Sequence, residues 1–360
     1  MKRIIALILV LCVCLSLGAC KKKKADATEP STEPTQATQA TQPATQATKP
    51  KELPYKHPLT GEGLETPWNG QLVAVMVNNL KKAMPQHGIS QADILYEIEV
   101  EGDITRCLAV FSDLSDVATI GPIRSARTVF NSVAVSYDAP LIHAGGSGGL
   151  ALSARYGSSY DTIENWEHID QSYNGGYFFR DTERYNNGYA WEHTLFTTGE
   201  KLTQAINDKG YNTPTDKSFG LQFAKDVDLK GEKAEKITVQ FKSGKKTILT
   251  YNAETKQYGL NMHGTEHIDG NTGKAVTFKN VIAIYCNQYY ADSAGHKFYD
   301  SIGTGEGYAA INGTIVPITW KRDGLRNQYT YALADGTPLN LDVGTTYIAL
   351  VGIKNPIAYE

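Results

Sequence analysis

The residues best suited to chemistry lie close together in residues 120–127, which read IGPIRSAR. The Gly-Pro pair interrupts the chain, and apolar residues at helical spacing then predict a helix over residues 124–137. Arg124 and Arg127 would share one face of its first turn. Cations there are unfavourable by a few tenths to about 1 kcal/mol, because they face the positive end of the helix dipole. Free N–H groups and two guanidinium groups would bind a phosphate or a carboxylate, so the segment predicts an anion site.

A structural alternative is that the arginines pair with acids of the chain itself. Glu97 and Glu99 lie in a predicted strand over 94–100, and Glu101 begins the Glu-Gly-Asp turn that follows it. Another apolar strand is predicted over 106–111, so the two strands form a hairpin. The sequence leaves the anion site and the ion pairs open as alternatives.

A glycine-rich segment, HAGGSGG at 143–149, follows a short apolar strand that is predicted over 140–143. Glycine lets a ligand or another backbone approach closely, and consecutive N–H groups can form an anion-binding nest. Simple turn geometry is the alternative explanation. On the functional interpretation, His143, Gly145, Gly146 and Ser147 are ligand-binding candidates.

An enzyme acting on phosphorylated envelope glycans is a second functional hypothesis. It requires a cleft that joins Arg106, Arg124 and Arg127 with Asp93 or Glu101, and Mg²⁺ would fit that chemistry. The sequence contains no GxSxG, HExxH, P-loop or paired CxxC pattern, and no nucleophile stands with a base. We therefore expect no cofactor and no resident metal, and we favour a non-enzymatic protein.

Side chains that commonly bind metals or form disulfides give weaker signals. His263, His267 and Asp269 have ligand-type spacing but lie in a glycine-rich turn, where a solvated hairpin is the simpler expectation. Cys107 and Cys286 lie in apolar strand-like runs, which favours buried free thiols over a bridge between domains.

The pattern of apolar residues predicts an α+β protein in two parts. Residues 56–214 alternate strand and helix signals, which indicates an α/β domain, and they include a capped helix over 198–209. Residues 215–360 contain short strands separated by turn dipeptides, which indicates an all-β domain, either a small barrel or a sandwich.

The N-terminal residues predict the location of the protein. Residues 1–19 combine two basic residues, a short apolar run and small residues, as in a signal peptide, and the run is too short to span a membrane. The stretch that ends at Cys20 resembles the bacterial lipobox, which implies lipid on that cysteine and stable anchoring by two or more acyl chains. Residues 20–55 are rich in Thr, Gln and Pro, which predicts a disordered tether.

Longer motifs identify a family. They are VAVMVNN at 73–79, PQHGISQADI at 85–94, EIEVEGDITR at 97–106, GPIRSAR at 121–127, YDA at 137–139, HAGGS at 143–147, GTEHIDGNTG at 264–273, GTGEGY at 303–308 and TW at 319–320. The chain resembles in these segments the YerB-like family of bacterial lipoproteins, whose two-part domain has no established function. The resemblance implies an extracytoplasmic location and an envelope role. Glu192-His193-Thr194 departs from the Pro-His-Asn expected of the family, which puts the role of residues next to His193 in doubt.

A fainter similarity covers about residues 90–150. Asp93 precedes two predicted strands and then Gly-Pro-Ile-Arg, which is similar to the LytR–CpsA–Psr phosphotransferases. Those enzymes attach anionic polymers to the cell wall and use arginines to hold a lipid pyrophosphate. The similarity implies the enzyme hypothesis above.

The leading hypothesis is a membrane-anchored extracytoplasmic protein that binds an anionic ligand, a wall polymer or a partner enzyme. Membrane lipid is expected to be held through Cys20, and nucleic acid is not expected, because the formal net charge is −3. The ligand-binding candidates are Asp93, Glu101, Arg106, Arg124, Arg127, His143, Gly145, Gly146 and Ser147.

Overall fold

The structure is a computed structural model that describes residues 53–147, 167–212, 219–242 and 244–360. Cys20, the predicted signal peptide and the tether as far as residue 52 lie outside the described residues. The described strands, in chain order, are β1 (Tyr55–Lys56), β2 (Gly63–Leu64), β3 (Val73–Asn78), β4 (Ile94–Glu99), β5 (Thr105–Phe111), β6 (Leu141–His143), β7 (His168–Asp170), β8 (Phe179–Arg180), β9 (Leu195–Phe196), β10 (Gln222–Ala224), β11 (Glu232–Lys233), β12 (Lys236–Lys242), β13 (Lys245–Asn252), β14 (Gln257–Met262), β15 (Thr265–Glu266), β16 (Thr277–Phe278), β17 (Asn280–Cys286), β18 (Gln288–Tyr290), β19 (Lys297–Tyr299), β20 (Gly303–Ile311), β21 (Thr314–Arg322), β22 (Thr330–Leu333), β23 (Asn340–Asp342), β24 (Thr346–Gly352) and β25 (Ile357–Tyr359).

Helices are few within those ranges. The α-helices are α1 (Thr128–Ser136), α2 (Thr182–Asn186) and α3 (Gly199–Lys209), and the short 3₁₀ turns are Lys81–Ala83, Ile89–Gln91, Glu101–Asp103 and Trp191–His193. None of the described helices has the length and apolar character needed to cross a membrane. The predicted α+β class, with few helices and a β-rich C-terminal part, is confirmed.

Eleven of the 25 described strands form one sheet, whose order is β11-β21-β20-β17-β24-β4-β5-β3-β6-β7, with β22 paired to β21. Within it β17, β24, β4, β3, β6 and β7 all run parallel, and β5 runs antiparallel between β4 and β3. The C-terminal ends of the six parallel strands therefore lie along one edge of the sheet. We call this the carboxyl edge.

Strand β24 joins the early and late parts of the chain. It pairs in parallel with β17 on one side and with β4 on the other. The boundary expected near residue 214 lies in residues 213–218, outside the described residues, and the parts on its two sides share this sheet. Residues 51–360 group as one compact unit.

The eleven-stranded sheet is covered on both faces. One face packs against a six-stranded antiparallel sheet of β15, β14, β13, β12, β25 and β16, and this core contains Val75, Leu95 and Val239. The opposite face packs against α1, with Phe130 among the buried residues. Strands buried on both faces read as continuous apolar runs, as the LVAVMV stretch does.

A buried carboxylate links the two sheets. Glu97 of β4 is fully buried and accepts hydrogen bonds from Asn79 (2.9 Å), Thr105 (2.6 Å), Thr247 (2.8 Å) and Tyr347 (2.7 Å). The Lys245 ammonium of β13 lies 3.4 Å from the same carboxylate. Because Thr247 and Lys245 belong to the second sheet, satisfying this charge fixes how the two sheets pack.

Local signals in the sequence set several element ends. Strands β4 and β5 form the predicted hairpin. Helix α3 ends at Gly210 in the left-handed conformation, and the Thr198 side chain accepts from the Lys201 N–H at its start, as predicted. Helix α1 corrects a prediction: it begins at Thr128 and not at 124, with Arg127 in extended conformation just before it. Arg124 and Arg127 therefore do not share a first turn.

The central position of β24 yields a stability prediction. Leu350 is fully buried in β24, so Leu350→Ala should lower the free energy of unfolding by about 2–5 kcal/mol, the cost of a cavity in a packed core. Urea unfolding followed by both tryptophan fluorescence and far-UV circular dichroism should show one transition displaced as a whole.

Ile353→Ala is the matched control, because Ile353 follows the same strand but is 58% exposed. It should change stability by no more than about 0.5 kcal/mol. Two separate transitions, of which Leu350→Ala moved only one, would contradict a single sheet that unfolds as a unit.

Candidate functional site

The carboxyl edge collects nearly all of the predicted ligand-binding residues. Glu101 follows β4, Arg106 lies at the start of the antiparallel β5, and His143 ends β6. Gly145, Gly146 and Ser147 follow β6 directly. Ligands of open α/β sheets bind outside the carboxyl ends of parallel strands, so this edge is the expected place for a site.

The segment that carries Arg124 and Arg127 runs along this edge in extended form. The Arg124 N–H donates to the Met76 carbonyl of β3 at 3.1 Å, and the Arg124 carbonyl accepts from the Ala144 N–H at 3.1 Å. The Ala126 N–H donates to the Gly145 carbonyl at 3.0 Å. Because its backbone is bonded on both sides, the segment fills the space between the end of β3 and the glycine-rich loop.

Glu101 binds two of the three arginines. Its carboxylate accepts from Arg106 Nη2 at 2.9 Å and from Arg127 Nε at 2.8 Å, and it also pairs with Arg127 Nη2. Burial by itself would raise the pKa of Glu101, but the hydrogen bond from Arg127 and the charge of Arg106 outweigh it and lower the pKa to about 2. Burial and the charge of Arg127 lower the pKa of Arg106 to about 9.

The structural alternative therefore applies to Arg106 and Arg127, whose side chains are 3% and 9% exposed. Of the three acids considered, Glu101 is their partner, while Glu99 pairs with Lys297 at 2.6 Å and Glu97 belongs to the buried network. Two guanidinium groups already bound by a carboxylate have little left for an external anion. This corrects the expectation of a joint site of Arg124 and Arg127.

Arg124 is held differently. Its guanidinium lies 3.3 Å from the Glu192 carboxylate, which is 48% exposed, and its own side chain is 21% exposed. The buried Arg124 Nε has no hydrogen-bond partner among the described residues. Glu192 and Thr194 are the two residues that differ from the pattern expected of the family, and Glu192 is the counter-ion of Arg124.

An exposed aromatic surface adjoins this pair. The Trp191 ring, 56% exposed, lies under the Arg180 guanidinium at 4.4 Å, and Tyr185 packs edge-on at 5.6 Å between ring centroids. Arg180 Nη1 donates to the Trp191 carbonyl at 2.6 Å, which fixes the stack. We call Tyr185, Trp191 and Arg180 the aromatic platform. Sequence reasoning missed it, because only the fold places α2 beside Trp191.

His193, which lies beside the platform, is buried and hydrogen-bonded. His193 Nδ1 lies 2.9 Å from Asn78 Nδ2 at the end of β3, which positions the Trp191–His193 turn on the sheet. Burial lowers the pKa of His193, and nearby Arg124 adds to this, although Glu192 opposes it. His193 thus serves to place its exposed neighbours.

The glycine-rich loop uses its backbone donors internally. The Ala144 N–H donates to the Arg124 backbone carbonyl. The Gly145 N–H donates to the Asp170 carboxylate of β7. Gly145 has φ +69°, a conformation that favours glycine, so turn geometry accounts for it. An open anion-binding nest at Ala144 and Gly145 is therefore not formed. Residues 148–149 of the loop lie outside the described residues.

Both ring nitrogens of His143 also have hydrogen-bond partners. Its Nδ1 lies 2.9 Å from the Gly145 carbonyl oxygen and its Nε2 lies 3.0 Å from His168 Nδ1. Burial lowers the pKa of His143 despite the Gly145 hydrogen bond and the nearby Asp170, which favours the neutral imidazole.

Asp93 is not part of this edge. It precedes β4, at the opposite end of that strand from Glu101, which is roughly 20 Å at the usual rise per residue. Its carboxylate accepts from the Ser112 N–H at 2.7 Å. The cleft that the enzyme hypothesis required, with Asp93 beside the arginines, is therefore not formed. Glu101 does lie beside them, but as a bound counter-ion.

Two of the three candidates from the last third of the chain, His267 and Asp269, are buried, which corrects the expectation of a solvated hairpin for them. His263 is part-buried, and its Nε2 lies 3.3 Å from Asn79 Oδ1. Asp269 is fully buried and accepts from the N–H groups of Gly88 (3.2 Å) and Ser90 (2.8 Å). His267 is 4% exposed, and burial lowers its pKa to about 4. No metal-binding group of three or more His, Cys, Asp or Glu residues occurs in the part of the chain that the structure describes. Cys107 and Cys286 are buried free thiols, as expected.

Comparison with known proteins identifies the family of the chain. Residues 59–212 match the N-terminal domain, and residues 237–348 the C-terminal domain, of a protein of unknown function, DUF3048. The chain belongs to this family. It is 29% identical over 301 residues to "Putative lipoprotein YerB" of Bacillus subtilis strain 168, covering 82% of this chain and 86% of that protein. The crystal structure of YerB from B. subtilis is similar, with a TM-score of 0.71, 26% identity, and coverage of 84% of this chain and 99% of that chain.

The name of this relative supports the lipoprotein prediction made from Cys20 and the lipobox. It describes a lipoprotein and states no reaction, ligand or partner. The family match likewise carries no function. What the carboxyl edge binds is therefore argued from its own chemistry.

The Glu101 pair gives a pH-dependent prediction. Glu101→Gln leaves Arg106 and Arg127 buried without their counter-charge and should lower the free energy of unfolding at pH 7 by about 2–3 kcal/mol. Because the folded pKa is about 2 and the ordinary value is 4.5, the stabilisation is present above pH 4.5 and is lost as the pH falls toward 2. Urea unfolding of both proteins from pH 7 to pH 2.5 measures this difference.

The matched control is Glu254→Gln, which removes an exposed carboxylate from a turn. Its effect should be small at every pH. A Glu101→Gln effect that stayed constant from pH 7 to pH 2.5 would contradict the assigned ion pairs.

Proposed function

We propose that this lipoprotein is a non-enzymatic binding protein of the cell envelope and that it captures an anionic wall polymer at its carboxyl edge. Arg124 binds an anionic group of the polymer, and the aromatic platform binds the adjacent apolar faces of its sugar or polyol units. The observation that carries the proposal is the incompletely bonded Arg124 guanidinium beside an exposed Trp–Arg stack.

The charges favour Arg124 over the other two arginines. A phosphate at Arg124 has to compete only with Glu192, whose carboxylate is half-exposed and readily rehydrated. At Arg106 or Arg127 it would have to displace a buried carboxylate and leave it without its partners. The accessible part of the Arg124 guanidinium, whose side chain is 21% exposed, provides charge-assisted hydrogen bonds.

The platform suits a polymer better than a small ion. Trp191 and Tyr185 offer exposed rings, and Trp, Tyr and Arg are the residues that most often carry binding energy at interfaces. A lone phosphate would contact Arg124 but would not use the rings. A chain of alternating anionic and neutral units would use both.

The predicted anchor supplies the location. A tether of some 35 residues would span roughly 30–35 Å root-mean-square if it is a flexible coil. On the proposal, lipid at Cys20 holds the carboxyl edge within the membrane-proximal layer, where anionic wall polymers and their lipid-linked precursors occur.

The test uses the full-length lipoprotein in vesicles and a purified polyol-phosphate wall polymer. Arg124→Ala should weaken binding about tenfold or more, because a hydrogen bond to a charged group contributes about 1.5–3 kcal/mol. Glu192→Gln should strengthen binding, because it removes the competing carboxylate. Co-sedimentation at 50 mM and 300 mM salt measures both, and high salt should weaken the binding of the unmodified protein.

Lys246→Ala is the matched control, since it removes an exposed cation from the second sheet. An Arg124→Ala effect equal to that of Lys246→Ala would overturn the proposed site. Binding of a neutral glycan as tightly as the anionic polymer would overturn the proposed ligand class.

A further inference from the structure

The eleven-stranded sheet is open between β17 and β20. The two strands are paired from Asn280↔Ile311 to Ile284↔Gly307, and pairing stops there. Strand β20 continues for four more residues, 303–306, which pair with β21. The side of β20 that faces the end of β17 is therefore an unpaired strand edge over residues 303–305.

The turn geometry shows which backbone groups face the opening. Asn312 and Gly313 both have positive φ (50° and 78°), so β20 and β21 are joined by a two-residue hairpin of the favoured kind. The pair that flanks such a turn, Ile311 and Thr314, is hydrogen-bonded, and bonded and non-bonded pairs then alternate. Counting back by register, Thr304 and Glu306 do not bond to β21. The same alternation makes Ile284↔Gly307 a non-bonded pair, closed by a bond from the Tyr285 N–H to the Glu306 carbonyl. The N–H and C=O groups of Thr304 and the N–H of Glu306 therefore point into the opening.

Trp320 keeps β17 and β20 separated at the opening. The Trp320 indole lies across Gly305 and donates from Nε1 to the Tyr285 carbonyl of β17 at 3.0 Å. A Cβ atom at Gly305 would lie only 2.5 Å from the indole nitrogen, so a glycine is required there. Because Trp320 occupies the carbonyl that β20 would otherwise approach, the two strands stay separated.

The space between β17 and β20 at the opening is a cavity that side chains do not fill. A cavity of about 630 Å³ lies between the end of β17 and the free stretch of β20, lined among others by Asn287, Thr304, Glu306 and Ile353. A second cavity of about 720 Å³ shares Thr304 and Glu306 and continues toward β22. The length of the unpaired stretch and these volumes match an extended peptide of a few residues.

The chemistry of the walls selects the peptide. Glu306 is exposed and, among the described residues, makes no ion pair, while nearby Lys321 is already bound to Asp323 at 2.9 Å. Ile353 on the same cavity is 58% exposed. A carboxylate without a counter-ion favours a basic side chain, and the exposed Ile353 favours an apolar neighbour.

We propose that this opening is a second binding site, which takes an extended peptide segment of a partner protein by strand addition to residues 303–306 of β20. The peptide backbone pairs with the N–H and C=O groups of Thr304 and with the N–H of Glu306, a basic side chain of the peptide pairs with the Glu306 carboxylate, and an apolar side chain packs on Ile353. The site is separate from Arg124 and does not depend on the polymer proposal.

The test selects displayed random octapeptides on the full-length protein and measures the best synthetic peptide by fluorescence anisotropy. We expect selected peptides to contain Lys or Arg next to apolar residues. Glu306→Gln should weaken binding about tenfold, and Thr304→Pro, which removes an N–H that β21 does not use, should weaken it further. N-methylation of alternate peptide residues should abolish binding in one register and leave it unchanged in the other.

Glu254→Gln serves as the matched control and should bind the peptide like the unmodified protein. Thermal unfolding of Thr304→Pro establishes that the variant is folded before its affinity is compared. The proposal is overturned if no peptide is selected, or if neither Thr304→Pro nor N-methylation in either register weakens binding. Displacement of the peptide by neutral N-acetylhexosamine oligomers, with equal dependence on Glu306, would assign the cavity to a glycan and also overturn it.

Discussion

The parallel pairing of β24 with both β17 and β4 is the constraint on which the rest of the structure depends. It places a strand from the end of the chain in the middle of the sheet, so that six parallel strands from early and late segments end at one edge. Loops that are far apart in sequence thereby meet at the carboxyl edge. The buried Glu97, bonded to Thr247 and Tyr347 from the later part of the chain, fixes the second sheet against the first.

Most of the charge at the carboxyl edge stabilises the fold. Glu101 binds Arg106 and Arg127 and so connects the β4–β5 hairpin to the segment before α1, and Glu99 and Lys297 pair in the same way beside β17. A buried ion loses its hydration, so each of these groups needs a counter-charge within the fold. Arg124 differs because its partner Glu192 is half-exposed, which leaves its charge accessible to a ligand.

The two proposed binding surfaces recognise their ligands through different kinds of interaction. At the carboxyl edge a guanidinium and an aromatic platform recognise charge and ring faces, through side chains on short turns. In the sheet opening, backbone groups of β20 bind the peptide, and the Trp320 indole keeps these groups from pairing with β17. Both surfaces lie where the regular sheet ends, which leaves polar groups and side chains accessible there.

The sequence by itself determined the elements whose signals are local: the β4–β5 hairpin, the capped α3, the buried β3, the late strands with their turns, and the family. It also found Arg106, Arg124 and Arg127 as a group. Only the tertiary structure decided their partners, buried Asp269 and brought Tyr185 to Trp191. Capping and alternation act over a few residues and can be read from a short stretch of sequence. Ion pairs such as that of Arg124 and Glu192, and strand pairs such as that of β24 and β4, join residues beyond such a stretch, and the packed sheet sets which of them meet.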